Sequence, residues 1–172
     1  SKKLTKQVSF FKKNKNAELI YSNFFNMKNF FGFSFDSLKF KQILPSGFIT
    51  GQLLNSYCIA WITVAMKKSL IKKKIFNEKL DMMSDFDFII NYSLKNKIFS
   101  IQEPLAKYRL HPNQLTRKNF FLQSEQFLKW YKSHKVETKL RKFKKSKKFL
   151  DKIIFFEKKV KYKKKKNLLP DI

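Results

Sequence analysis

Along residues 1–13, Leu4, Val8 and Phe11 recur every three or four positions with lysines between them, the pattern of an amphipathic helix. Asn14 to Asn16 interrupt it, and the run AELIYSNFF over 17–25 reads as a strand. Residues 26–43 alternate aromatic and polar side chains, which predicts a hairpin turning at Gly32 or at Asp36-Ser37. Leu44-Pro45-Ser46-Gly47 reads as a turn, and Ile49, Leu53 and Leu54 fall at helical spacing over 48–55. The run YCIAWITVAM over 57–66 predicts the most buried strand of the chain. A short basic segment, 67–74, and a loop with local acids, 76–83, follow.

Ser84 then opens a helix whose Phe86, Ile89, Ile90 and Leu94 share one apolar face. Two short strands are expected at 97–101 and 105–110, separated by a turn at Glu103-Pro104. Residues 113–131 read as an amphipathic helix carrying Phe120, Phe121, Phe127, Leu128 and Trp130. The remainder reads as a lysine-rich helix or a partly ordered tail. Helices interleaved with strands, without an internal repeat, indicate an α/β or α+β chain.

Composition narrows the chemistry. The chain has 172 residues, 43% hydrophobic and 17% aromatic with 21 Phe, which is enough for one cored domain and too apolar for a disordered tail. One cysteine excludes an internal disulfide and any multi-cysteine zinc site. Three glycines, at 32, 47 and 51, cannot write a glycine-rich phosphate loop. The chain starts at Ser1 rather than Met, as a fragment or a processed product would. No secretory signal is seen at that start, and no apolar run approaches the roughly 20 residues of a membrane span.

The formal charge of +27 suggests a polyanionic partner, RNA or an anionic membrane surface. It is densest in 132–172, where 17 Lys or Arg face 4 acids. Only Arg109, Arg117 and Arg141 are arginine, against 36 lysines, and base readout and bidentate phosphate clamps favour arginine. Part of the excess therefore reflects a bias of composition toward Lys, Asn, Ile and Phe. A basic RNA-binding or ribosome-associated protein is one reading, supported by the tail and interleaved Phe but lacking an RNP-like run. A membrane-surface module is another, with Phe143, Leu150, Ile153, Ile154 and Val160 as an apolar stripe in the tail.

Residues 75–116 carry a more specific signal. They contain Phe76-Asn77-Glu78 and Leu80, then Asp85-Phe86-Asp87 at a helix start, then Glu103-Pro104-Leu105, Tyr108-Arg109-Leu110-His111 and Asn113. In that order, these anchors resemble the second half of the family 2 glycosyltransferases, nucleotide-sugar enzymes of the GT-A fold. Thr63 with the Lys67-Lys68 pair resembles the family's acceptor-side strand, and the start of the chain is similar to the helix and strand that follow the family's D-x-D. The resemblance spans about residues 1–131.

It implies a partial, Rossmann-like GT-A domain over 1–131, lacking the nucleotide-binding half, followed by a lysine-rich helical tail over 132–172. It implies an inverting transfer from a nucleotide sugar to a hydroxyl of a carbohydrate or lipid-linked acceptor, as in surface polysaccharide or glycolipid synthesis. Such an enzyme would work in the cytoplasm, peripherally on the inner face of the cell membrane, and would use Mg or Mn in its complete form. The present chain alone would be inactive. Asp85 aligns with the family's catalytic base; Arg109, Thr63 and Asp87 become substrate-binding candidates and His111 a metal-ligand candidate.

Each has a plainer reading. Ser84-x-x-Asp87 resembles a capping box, in which Asp85 and Asp87 favour the helix dipole by about 0.3–1 kcal/mol each. Read as a metal-binding D-x-D, Asp85-Phe86-Asp87 would stand in the wrong place, at a helix start. Glu78, Asp81, Asp85 and Asp87 hold four of the twelve acids and could pair with Lys72, Lys73 and Lys74. Arg109 could salt-bridge Asp87, and a lone His111 holds no metal by itself. Cys58, Trp61 and Trp130 read as packing, and His134 is assigned nothing.

Overall fold

The computed structural model describes residues 2–71, 75–114, 119–133, 138–143 and 146–166. Two compact units emerge, Ser1–Ile75 with Ile89–Gln114, and Phe76–Phe88 with Leu115–Ile172. The architecture is mixed α and β.

The first unit is a sheet with short helices. Helix α1 (Lys2–Lys13) presents one side inward: Gln7 is buried, whereas Leu4 and Val8 of the expected apolar face are exposed. Strand β1 (Leu19–Phe30) is the spine of the sheet. It pairs antiparallel with β2 (Phe33–Leu38) and with the two-residue β3 (Ala65–Met66), and parallel with β4 (Phe99–Leu110). Helix α2 (Thr50–Asn55) is the helix expected over 48–55. The core gathers on Ala17, Leu19, Ile20 and Tyr21 of the β1 region, Ile49, Leu53 and Leu54 of the α2 region, and Ile89, Ile90 and Ile98.

The hairpin turns at Gly32, the first of the two expected positions. Phe30 pairs with Phe33, so Phe31 and Gly32 form a two-residue turn with φ of 46° and 81°. Positive φ at both positions matches the right-handed twist of the strands they join. Gly32 adopts it without cost, but Phe31 does not.

Two strand expectations are corrected. Residues 57–66 do not form the most buried strand. A 3₁₀ turn, Trp61–Thr63, breaks the run, and only Ala65 and Met66 join the sheet. An apolar run specifies burial but not period, and here burial falls on Cys58, Ile59 and Thr63. Conversely, 97–101 and 105–110 are not two strands. They belong to one strand, β4, and Glu103-Pro104 sits in an irregularity where the partner register jumps from Ser22↔Ile101 to Asn23↔Pro104 and then Phe24↔Ala106. Proline removes a ladder donor, and a bulge accommodates that without ending the strand.

The second unit is helical. It includes the first turn of α3 (Ser84–Ser93), whose remaining turns belong to the first unit. Helix α4 (Phe120–Lys132) begins later than the expected 113; residues 115–118 lie outside the described residues. Helix α5 (Lys147–Lys166) makes the lysine-rich tail a helix over that range. Leu80, Met83, Phe86, Phe127, Leu128, Trp130, Leu140, Phe149 and Ile153 are its buried apolar residues. Aromatic rings pack edge to face or tilted among them, Phe86–Trp130 at 4.9 Å and Phe127–Phe156 at 4.7 Å between centroids.

Candidate functional site

The site candidates divide between the two units. Asp85 and Asp87 lie in the second; Thr63, Arg109 and His111 lie in the first.

Asp85 and Asp87 share the first turn of α3, where two carboxylates complement the positive end of the helix dipole. Their environments differ. Trp130 Nε1 donates a 2.8 Å hydrogen bond to Asp87 Oδ1, and the backbone N–H of Asp87 donates to Met83 O at 2.8 Å. Asp87 therefore anchors the start of α3 to α4, with Gln126 Oε1 accepting a 3.0 Å bond from the Met82 N–H beside it. Asp85 Oδ1 accepts a 2.7 Å bond from the Phe86 N–H. Burial pushes the Asp85 carboxyl above the usual carboxylate range, against the opposing pull of backbone N–H groups of Phe86 and Asp85. A half-buried carboxylate with raised basicity, held on a helix terminus, can accept a proton from a hydroxyl brought to it.

In the first unit, Arg109 and His111 lie together where β4 ends, both exposed. Gln114 ties off this end: its Nε2 donates to Arg109 O at 2.9 Å and its backbone N–H to His111 O at 3.2 Å. The buried Gln114 thus closes the turn that follows β4 back onto the strand's end. Thr63 lies elsewhere, fully buried in the 3₁₀ turn. Its Oγ1 donates to Ala60 O at 2.7 Å, and its carbonyl accepts from Gln7 Nε2 at 3.1 Å. These bonds lock α1 to the turn and keep the Thr63 hydroxyl engaged inside the fold.

Among the described residues, no group of three or more His, Cys, Asp or Glu is placed to hold a metal ion. His111 alone does not make a site for Mg or Mn. The suggested pairing of the acid cluster with Lys72, Lys73 and Lys74, and His134, lie outside the described residues.

Two features were not legible from residue patterns. One is the Trp130–Asp87 bond, between residues 43 apart in sequence. The other is an open cleft of about 320 Å³ in the first unit, lined by Phe40, Gln42, Pro45, Gln52, Ser56 and Cys58. At its edge Tyr21 donates to Pro45 O at 2.7 Å and lies 3.6 Å from Cys58 Sγ. Burial pushes both the Tyr21 hydroxyl and the Cys58 thiol up, so the cysteine stays protonated and packs rather than reacts.

No helix among the described residues is long and apolar enough to cross a membrane. Compared with protein-family models, curated protein sequences and solved structures, the chain gives no match.

Proposed function

We propose that this chain is the acceptor-side and base-carrying part of an inverting glycosyltransferase of the family 2, GT-A type. The observation that carries this reading is the Asp85 carboxylate: half-buried, raised in basicity by burial, and fixed at the first turn of α3. Its place in the Asp85-Phe86-Asp87 segment, with the Tyr108-Arg109-Leu110-His111 segment downstream, is the one the resemblance predicts.

In this reaction Asp85 takes the proton of the acceptor hydroxyl as that oxygen attacks the anomeric carbon. The new C–O bond forms on the face opposite the leaving group, and the bond to the donor's diphosphate breaks with its electron pair leaving on phosphate oxygen. Asp87 acts through Trp130, as a positioning residue that keeps the α3 terminus in place. Arg109 offers a planar, charged fork suited to the diphosphate. The nucleoside and a divalent metal would be held by a donor-binding half. The acceptor is a carbohydrate or a lipid-linked sugar, and the enzyme works at the cytoplasmic face of a membrane, where α5 turns Leu150, Ile154 and Phe155 outward among its lysines.

RNA binding is the weaker reading. Lys163, Lys152 and Lys159 each lie over a ring of their own unit, Phe121, Phe127 and Phe155, at 4.2–5.8 Å. Those ring faces of the second unit are already taken, and a chain with 36 lysines and three arginines is poor in the forked contacts that read bases and clamp phosphates.

The test is transfer from common nucleotide sugars, with divalent metal, by this chain joined to a donor-binding half. Asp85→Asn should lower kcat by about 10²–10⁴-fold with donor affinity preserved. Asp87→Asn keeps an oxygen for Trp130 and should cost far less. Equal losses from the two changes would remove Asp85 from the role of base. Residues 1–172 alone should show no turnover, and clear metal-dependent turnover would mean that the donor site lies within them.

A further inference from the structure

The β1–β2 hairpin exposes the densest aromatic surface of the first unit. Phe30, Phe31, Phe33 and Phe35 are 67%, 86%, 70% and 61% exposed. The register explains why they act together. Phe30 opposes Phe33 and Lys28 opposes Phe35, so Phe30, Phe33 and Phe35 stand with Lys28 on one face of the ribbon, and Phe31 caps it at the turn. The ladder between β1 and β4 ends at Lys28↔Leu110, so among the described residues no strand covers the other edge of the hairpin's last turn. Phe30 and Phe31 meet edge to face at 4.5 Å, which makes the tip one continuous apolar knob.

Phe31 is the telling residue. A two-residue hairpin turn calls for Asn or Asp at its first position, because that position needs positive φ. Here a bulky aromatic takes it at φ 46° and is also almost wholly in water. It is disfavoured twice over in the isolated fold, so the tip is built for contact with something apolar. Lys28 stands opposite Phe35 beside the knob, and Arg109 of β4 pairs with Met27 next to it. The one acid on β2, Asp36, is neutralised by Lys107 at 2.5 Å. An apolar tip with basic side chains directly behind it, on a chain of net charge +27, matches an anionic lipid surface: rings enter the acyl boundary while cationic groups stay with the phosphates.

We propose that the β1–β2 hairpin is a membrane-docking element whose Phe30, Phe31, Phe33 and Phe35 insert into an anionic bilayer. The inference stands independently of the sugar-transfer reading. It differs from membrane contact through α5, because it is local to the hairpin and driven by insertion rather than by charge alone.

The experiment is co-sedimentation of the full 172-residue chain with phosphatidylcholine vesicles, with and without phosphatidylglycerol. The triple variant Phe31→Ser, Phe33→Ser, Phe35→Ser should bind the anionic vesicles about tenfold or more weakly, with an unchanged circular-dichroism melt. In a second arm, Phe31→Trp should retain binding, and its added emission should shift to the blue on phosphatidylglycerol vesicles. Equal vesicle binding by the triple variant and the parent would overturn the proposal and leave α5 as the contact. A Trp at 31 whose emission does not move on bound vesicles would also overturn it. So would a parent that is a dimer in solution while the triple variant is a monomer, since the knob would then be covered by a second copy.

Discussion

Both ends of β1 are rich in large apolar side chains, yet they meet opposite environments. Leu19, Ile20 and Tyr21 are wholly buried and Phe24 is 5% exposed, while Phe30, six residues on, is 67% exposed. The difference lies in what flanks the strand. The first half runs between β3 and the start of β4, while the second half has β2 on one edge and loses β4 after Lys28. Apolar character alone does not secure burial; a side chain contributes to stability only where neighbouring elements close over it. The uncovered end is then available for something other than stability.

The largest effect that tests this contrast comes from truncation at the covered end. Leu19→Ala should destabilise the chain by about 2–5 kcal/mol, because it removes buried methyl groups and leaves a cavity between paired strands. Phe33→Ala, on the exposed end, should change stability by no more than about 0.5 kcal/mol despite removing a larger side chain. Urea denaturation of the two variants measures both. Comparable losses would mean that the hairpin face is covered in solution.

How much was legible in the sequence follows from the same contrast. Helix α3 and the turn at Gly32 could be read because they depend on neighbours close in sequence, a 3.6-residue apolar period and a residue tolerant of positive φ. The run 57–66 could not, because its apolar residues carry no period, and tertiary packing gave it a 3₁₀ turn at Trp61–Thr63. Glu103-Pro104 reads as a turn in the sequence because proline punctuates; only the parallel register with β1 reveals a bulge. At the candidate site, Asp85 stood out by its setting among sequence anchors. The partner of Asp87 did not, since Trp130 looked like core and its N–H found its carboxylate across 43 residues.

That bond gives the next prediction. Trp130→Phe keeps a ring against Phe86 and Phe127 but leaves Asp87 Oδ1 without the indole donor. A hydrogen bond to a charged group contributes about 1.5–3 kcal/mol, so a loss in that range is expected, smaller than that of Leu19→Ala. Adding Asp87→Ala, which removes the acceptor, to Trp130→Phe should cost less than the sum of the two single changes. Strict additivity in that double-mutant cycle would mean that the bond contributes nothing.

At the exposed end of β1 the sign reverses. Phe31→Asn places a residue that accepts positive φ at a position where phenylalanine is strained, and it removes an exposed ring. A gain of up to about 1 kcal/mol is expected in a denaturant melt. The same change should weaken anionic vesicle binding. Stabilisation with loss of binding would show strain retained for contact, and destabilisation by Phe31→Asn would show that the ring packs in the native state.

The smallest effect concerns the Asp85 carboxylate of α3. Asp85 is raised by burial, so the folded state holds its proton at pH values where the unfolded chain has already released it. Between the ordinary aspartate range, about pH 3.9, and the raised folded value, the native state binds more protons than the unfolded one, and stability falls as pH rises. Above that window the ionised carboxylate remains a net cost to folding. Asp85→Asn removes the titration, so the variant should gain stability relative to the parent as pH increases through the window. Urea melts of both proteins below pH 3.9 and at neutrality measure this difference. A variant that instead loses ground at neutral pH would mean that the ionised Asp85 is stabilised by the fold, and the base would lack the raised basicity on which proton transfer from an acceptor hydroxyl depends.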